Sequence, residues 1–224
     1  MAEVIINDTS QSNMENVRIM ILDFDGTLGD TAGVIVKTMQ ATIKELGLPS
    51  RSDEQCAAMI GLRLIEIPPV LFPECDLDGE SYASTYRRLF HDFNTDGAVE
   101  LYPDVLETLV ELKKRGIILT IASSRSKASL TEYVRTLGLE GVISFVLGAD
   151  DVKDGKPAPE AVNRTLEKFG FLPEEALVVG DTTFDIQMGK AAGTRTCGVT
   201  YGNGSIESLA DADRIIDDFG ELLH

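Results

Sequence analysis

Histidine is almost missing from this chain, whose 224 residues hold only His91 and His224. His91 sits among aromatic residues in a helical stretch and reads as part of a helix surface, while His224 is terminal, so imidazole chemistry is excluded as the basis of an activity. Cysteine is scarce too. Cys56, Cys75 and Cys197 are widely spaced, odd in number and form no C-x-x-C pair, which argues against a disulfide framework and a zinc cluster and fits a reducing cytosol. No apolar run approaches the length that spans a bilayer, and no basic, apolar, small-residue signal opens the chain, so a soluble cytoplasmic protein is expected. Basic residues are outnumbered, 20 Lys and Arg against 37 Asp and Glu, for a net charge of −17. A field of that sign repels nucleic-acid backbones and acidic membrane surfaces, and neither is expected as a partner. It also disfavours small anions, so an enzyme for phosphoesters needs a bound cation and a few well-placed basic residues to reverse the potential locally. No surface stripe stands out to indicate an oligomeric state.

What the chain does have is alternation. The run VRIMILDF over 17–24 suits a buried strand, and Gly26 follows it at a turn. From about Ala32 to Asn94 the pattern is helical, with Ile35, Met39, Ile43 and Leu46, then Tyr82, Tyr86, Leu89 and Phe93, recurring at helix spacing. After Leu101, helices alternate with the strands IILTIA, FVLGA, ALVVG and TRTCGV. The reading is an α/β fold: a Rossmann-like parallel sheet with helices on both faces, plus an inserted all-α cap. Residues 1–16 are expected to form a loosely held arm, 17–30 and 98–224 the core, and 31–97 the cap. Flexible connections at Leu28 to Thr31 and Asn94 to Val99 are expected to let the cap close.

In open α/β sheets ligands bind at the carboxyl ends of strands. Polar residues follow four of the predicted strands there: Asp23 and Asp25 in DFDGTLGDT, Ser123 and Ser124 in IASSRS, Lys156 in DGKPAP, and Asp181 and Asp185 in VVGDTTFD. Facing one point, they suit phosphoester hydrolysis, which demands charge neutralisation and in-line positioning. Asp23 is the candidate nucleophile, Asp25 the general acid and base, and Ser123, Ser124 and Lys156 the donors to phosphate. Gly26 permits the tight turn and Thr27 helps fix the phosphate. Hard carboxylate oxygens point to Mg2+, with Asp23 and Asp181 as side-chain ligands. Plainer readings stand beside these. D-x-D-G is also a common strand-end turn, serines cap helices, a lysine beside proline can be solvated, and Asp185 can serve a helix macrodipole. Arg63, in IGLRLIE, either contacts the leaving group or pairs with an acid at the surface, and Arg125 reads as structural.

These four motifs, in this order around a helical insertion, resemble the haloacid dehalogenase superfamily over nearly the whole chain. The resemblance implies a Mg2+-dependent phosphatase acting on a small phosphorylated metabolite through an aspartyl-phosphate. It also implies that Asp25 gives its backbone carbonyl to the ion, that Asp185 orients bound water, and that Phe24 lies in the phosphate-binding turn. Dehalogenases lack the second aspartate, so Asp25 favours phosphoryl transfer. Gly180 before Asp181 is as in phosphatases similar to phosphoglycolate phosphatase, whereas β-phosphoglucomutases usually carry Glu-Asp. The Ser-Ser pair is nearer the mutases. A sugar-phosphate mutase is therefore the alternative, and a non-catalytic phosphate-binding module is a third reading.

Overall fold

The computed structural model describes residues 16–95 and 97–224. The arm expected over 1–16 lies outside the described residues but for its last, as does Asp96 in the second connection. In β1 (Ile19–Leu22) every side chain is buried. Met20 and Leu22 enter an apolar cluster with Leu119, Ile121, Leu177 and Val179, while Ile19 and Ile21 enter another with Val162, Val178 and Met188. A strand buried on both faces reads as a continuous apolar run because helices cover both sides.

The order continues β2 (Gly29–Asp30), α1 (Ala32–Glu45), α2 (Asp53–Ala57), α3 (Ile67–Leu71), α4 (Gly79–Phe93), β3 (Glu100–Leu101), α5 (Val105–Lys114), β4 (Ile118–Ala122) and α6 (Lys127–Thr136). After these come β5 (Phe145–Leu147), α7 (Glu160–Phe169), β6 (Ala176–Gly180), α8 (Thr183–Ala191), β7 (Arg195–Val199) and β8 (Arg214–Ile216). Six strands form one sheet in the order β5-β4-β1-β6-β7-β8, and every pair in it is parallel. From β1 the chain runs to β4 on one side and to β6 on the other, so the crevice beyond their carboxyl ends is a topological switch point, where α/β sheets bind ligands.

The helical segment builds its own core. Ile35, Met39 and Ile43 of α1 and Tyr82 and Tyr86 of α4 pack with Ile67, Leu71 and Phe72, and the rings of Tyr82, Tyr86 and Phe90 follow one another along α4. Pro68 falls in the first turn of α3, where its missing N–H has no intrahelical acceptor to lose.

Two features depart from the sequence expectation. The connection at Leu28 to Thr31 carries a short strand: Gly29 and Asp30 pair antiparallel with Leu101 and Glu100, and Tyr102 N–H donates to the Leu28 carbonyl at 3.0 Å. A ladder of two residues on each side is too short to leave a strand pattern in the sequence. The second is β8, whose three residues alternate around an exposed Ile215, again too little for a recognisable period. Among the described residues, no helix is long and apolar enough to cross a membrane.

Candidate active site

The end of β1 places Asp23 where its N–H donates to the Val179 carbonyl of β6 at 2.9 Å. Gly26 then turns with φ of 85°, and its N–H donates to the Gly29 carbonyl at 3.0 Å. Only glycine meets that backbone demand here, because a Cβ would collide with the Asp181 carboxylate. That amide closes the turn. The Thr27 hydroxyl donates to Asp181 Oδ1 at 3.3 Å. Phe24 is fully buried and stacks on Tyr133 with centroids 5.0 Å apart, so its side chain anchors the turn from below.

Four charged groups meet at the switch point. The Lys156 ammonium donates to Asp23 Oδ1 and, at 2.6 Å, to Asp185 Oδ1. Asp185 Oδ2 accepts from the Thr182 N–H at 3.1 Å and from its hydroxyl at 2.7 Å, so both oxygens of Asp185 are engaged within the protein. Carboxylate oxygens of Asp23, Asp181 and Asp185 all lie within 4.8 Å of one another, and all three residues are buried. Among the described residues, Asp23 Oδ2 accepts no hydrogen bond.

Burial and mutual repulsion govern these charges. Burial raises the Asp23 carboxyl well above its ordinary value, against the pull of Lys156, and the charges of Asp185 and Asp181 push the same way. Burial and then Asp185 raise Asp181 to about 7, although Asn203 opposes them. Burial alone would depress Lys156, but Asp185 and Asp23 more than offset it and hold the ammonium protonated, above its usual range. One ammonium set against three carboxylates leaves the cluster short of positive charge. A divalent cation that prefers oxygen ligands fits that deficit and that donor set. Among the described residues Asp23 Oδ2 takes no protein donor and is open to it, while Asp181 accepts from Thr27 and Asn203 and Asp185 from Lys156 and Thr182.

Asn203 was not singled out in the sequence. Its N–H and its side-chain amide donate to Asp181 Oδ2 at 2.7 and 3.0 Å, fixing that carboxylate from the loop after β7. Gly202 beside it must lack a side chain, because a Cβ would meet Asp181. The signal was present in YGNG at the carboxyl end of another strand, the rule that found the other motifs.

The serines and arginines are placed as follows. Ser123 is buried, and its Oγ accepts from the Arg125 N–H at 3.3 Å. Ser124 Oγ donates to the Gly61 carbonyl at 2.5 Å, joining the sheet to the helical segment, and Ser126 caps α6 by accepting from the Ser129 N–H. Arg63 neither pairs with an acid nor stands free. Its Nη atoms donate to the carbonyls of Lys153, Val152 and Ala149 at 2.8, 2.9 and 3.3 Å, because a planar fork matches a loop presenting several carbonyls. The surface ion pair offered for it is thus replaced by a clasp between the helical segment and the loop leading to Lys156. Arg125 is the larger surprise, since its Nε donates to both oxygens of Asp25 at 2.7 and 2.8 Å.

A family model described as haloacid dehalogenase-like hydrolase matches residues 20–199. The chain is 33% identical to the phosphoglycolate phosphatase of Photorhabdus laumondii, over 94% of this chain and 92% of that protein. It is 33% identical to the protein of the same name in Aquifex aeolicus, over 83% and 86% of the two chains. A haloacid dehalogenase-like hydrolase from Bacteroides fragilis superposes with a TM-score of 0.86 at 30% identity, over 92% of this chain and 99% of that one.

Proposed function

The chain belongs to the haloacid dehalogenase-like hydrolases, and from that premise we propose that it is a Mg2+-dependent phosphatase acting on a small phosphorylated metabolite through Asp23. The carrying observation is the buried set of Asp23, Asp181, Asp185 and Lys156, in which Asp23 Oδ2 alone is left unengaged by protein donors. Asp23 Oδ2 attacks phosphorus as the bond to the leaving oxygen breaks, giving an aspartyl-phosphate. Asp25 delivers a proton to the departing oxygen and later removes one from the water that attacks phosphorus and frees Asp23. Lys156 holds Asp23 in line and neutralises charge, while Ser123 and the Ser124 backbone serve the phosphate oxygens. Asp23, Asp181 and the Asp25 carbonyl would hold Mg2+, Asp185 would orient its water, and the ion would supply charge neutralisation for the transferred group.

Phosphoglycolate is the first substrate to try, because relatives 33% identical over most of this chain bear that name. The mutase reading fits less well: a Cβ at Gly180 would overlap the Asp185 carboxylate, leaving no room for the glutamate that mutases usually carry there. Phosphate release is to be measured with Mg2+ and with EDTA, on 2-phosphoglycolate, β-glucose 1-phosphate and a nucleoside monophosphate. Mg2+-dependent free phosphate is the expected result. Isomerised sugar phosphate without release would transfer the chain to the mutases, and phosphate binding without turnover would make it a binding module.

Asp181 sets a pH dependence. In the unfolded chain an aspartate titrates at about 3.9, and in the folded protein Asp181 is raised to about 7. Between those values the metal-free fold binds more protons than the unfolded chain, so this group's contribution to stability declines as pH rises through the window. Above it the carboxylate is free of its proton and open to a cation. The rise in melting temperature on adding Mg2+ is therefore expected to be larger at pH 8 than at pH 6. Equal gains at both would remove Asp181 from the ion.

A further inference from the structure

Between the helical segment and the sheet lies a cavity of about 540 Å³, within the range that holds small ligands. It touches the catalytic cluster at Asp25, the group assigned to the leaving oxygen, so it is the place for the departing alcohol. Three arginines line it. Arg63 has both Nη atoms engaged by backbone carbonyls and only a buried Nε without a partner, and Arg87 pairs with Glu80 where both side chains are more than half exposed. Arg125 differs. Its side chain is 11% exposed and lies over the rings of Phe90 and Tyr133, 4.9 and 5.1 Å from their centroids. Only Nε is used on Asp25; Nη1 makes one long contact with Ser129 Oγ at 3.3 Å, and Nη2 makes no hydrogen bond among the described residues.

A guanidinium carries five donors in a rigid fork, and two edges of it can serve two different anions. One edge is taken here. The other edge keeps its donors available on a residue that lines the cavity. We infer that Arg125 is the leaving-group anion receptor of this site: its Nε edge holds Asp25, and its Nη edge receives a carboxylate or second phosphate on the departing alcohol. The inference rests on the phosphatase reading and extends it to a substrate class, phosphoesters whose alcohol carries a further negative charge. One side chain would then place both the general acid and the group it protonates.

The test compares 2-phosphoglycolate and ethylene glycol bisphosphate with the neutral-ended 2-hydroxyethyl phosphate, using p-nitrophenyl phosphate as a general reporter of turnover. In the unaltered protein kcat/KM is expected to favour at least one of the two charged substrates over the neutral one by about 100-fold or more. Arg125→Met is expected to bring that ratio to within about three-fold, and Arg125→Lys, which keeps a charge beside Asp25 but loses the fork, to lower it about ten-fold. Loss of folding or of Asp25 placement lowers all substrates alike and leaves the ratio standing. A ratio near one in the unaltered protein, or one that survives both substitutions, overturns the inference. The same ratio read as dissociation constants by calorimetry in an Asp23→Asn background needs no turnover. Absence of phosphate release from every substrate would thus sink the phosphatase reading alone, while the binding ratio still decides the role of Arg125.

Discussion

Replacing Asp23 with asparagine is expected to lower Mg2+-supported phosphate release by roughly 10³-fold or more, with little loss of stability. The amide is a poor nucleophile, and its oxygen is a weaker ligand for a hard cation. Stability is a separate matter, because burial and the neighbouring carboxylates already disfavour the charge on Asp23. Lys156 keeps Asp185 as a partner after the exchange, and asparagine preserves the shape of the side chain. The expected signature is therefore collapse of kcat with a metal-free melting temperature at pH 8 equal to or above that of the unaltered protein. Activity within ten-fold of the original would place the nucleophile elsewhere.

Lys156→Met should damage both properties. The Lys156 side chain is 4% exposed and pairs with Asp23 and Asp185, which are 7% and 2% exposed. Removing it leaves those carboxylates without their common counter-ion, and breaking such a buried pair costs about 3 kcal/mol or more. The effect has a pH sense. Protonation relieves the orphaned carboxylates, so the destabilisation relative to the unaltered protein is expected to shrink as pH falls from 8 toward 5. Mg2+ should also recover part of it by supplying positive charge to the same cluster. Turnover is expected to fall by about 10²- to 10³-fold even with the cation present, because charge neutralisation at the transferred group is lost. Denaturation midpoints without metal that match those of the unaltered protein would show that Lys156 does not neutralise this cluster.

These two substitutions act on residues found by position in the sequence, and the reason is local. A β-branched and apolar run ending in D-x-D-G announces a buried strand and the turn beyond it, and alternation of strands with helices announces a parallel sheet. Strand carboxyl ends in such a sheet converge, so the sequence positions of Asp23, Ser123, Lys156 and Asp181 imply a shared site. The helical insertion was legible for the same reason: Ile35, Met39 and Ile43, and Tyr82 and Tyr86, keep a helical period because one face of each helix is buried.

Periodicity says which face is buried but not what a long polar side chain reaches. Arg125 meets Asp25 across 100 residues of sequence, and Arg63 finds its carbonyls 86 to 90 residues away. The Gly26 amide donates within its own turn and the Thr27 hydroxyl to Asp181, because buried polar groups take the partners that packing brings within reach. By itself the sequence determined the sheet, the insertion and the residue types gathered at the strand ends, since these follow from burial periods and backbone demands along the chain. The tertiary structure alone decided how the guanidinium groups, Asn203 and the two-residue ladder are used. Their partners come from distant segments, and only packing chooses among the many acceptors within a flexible side chain's reach.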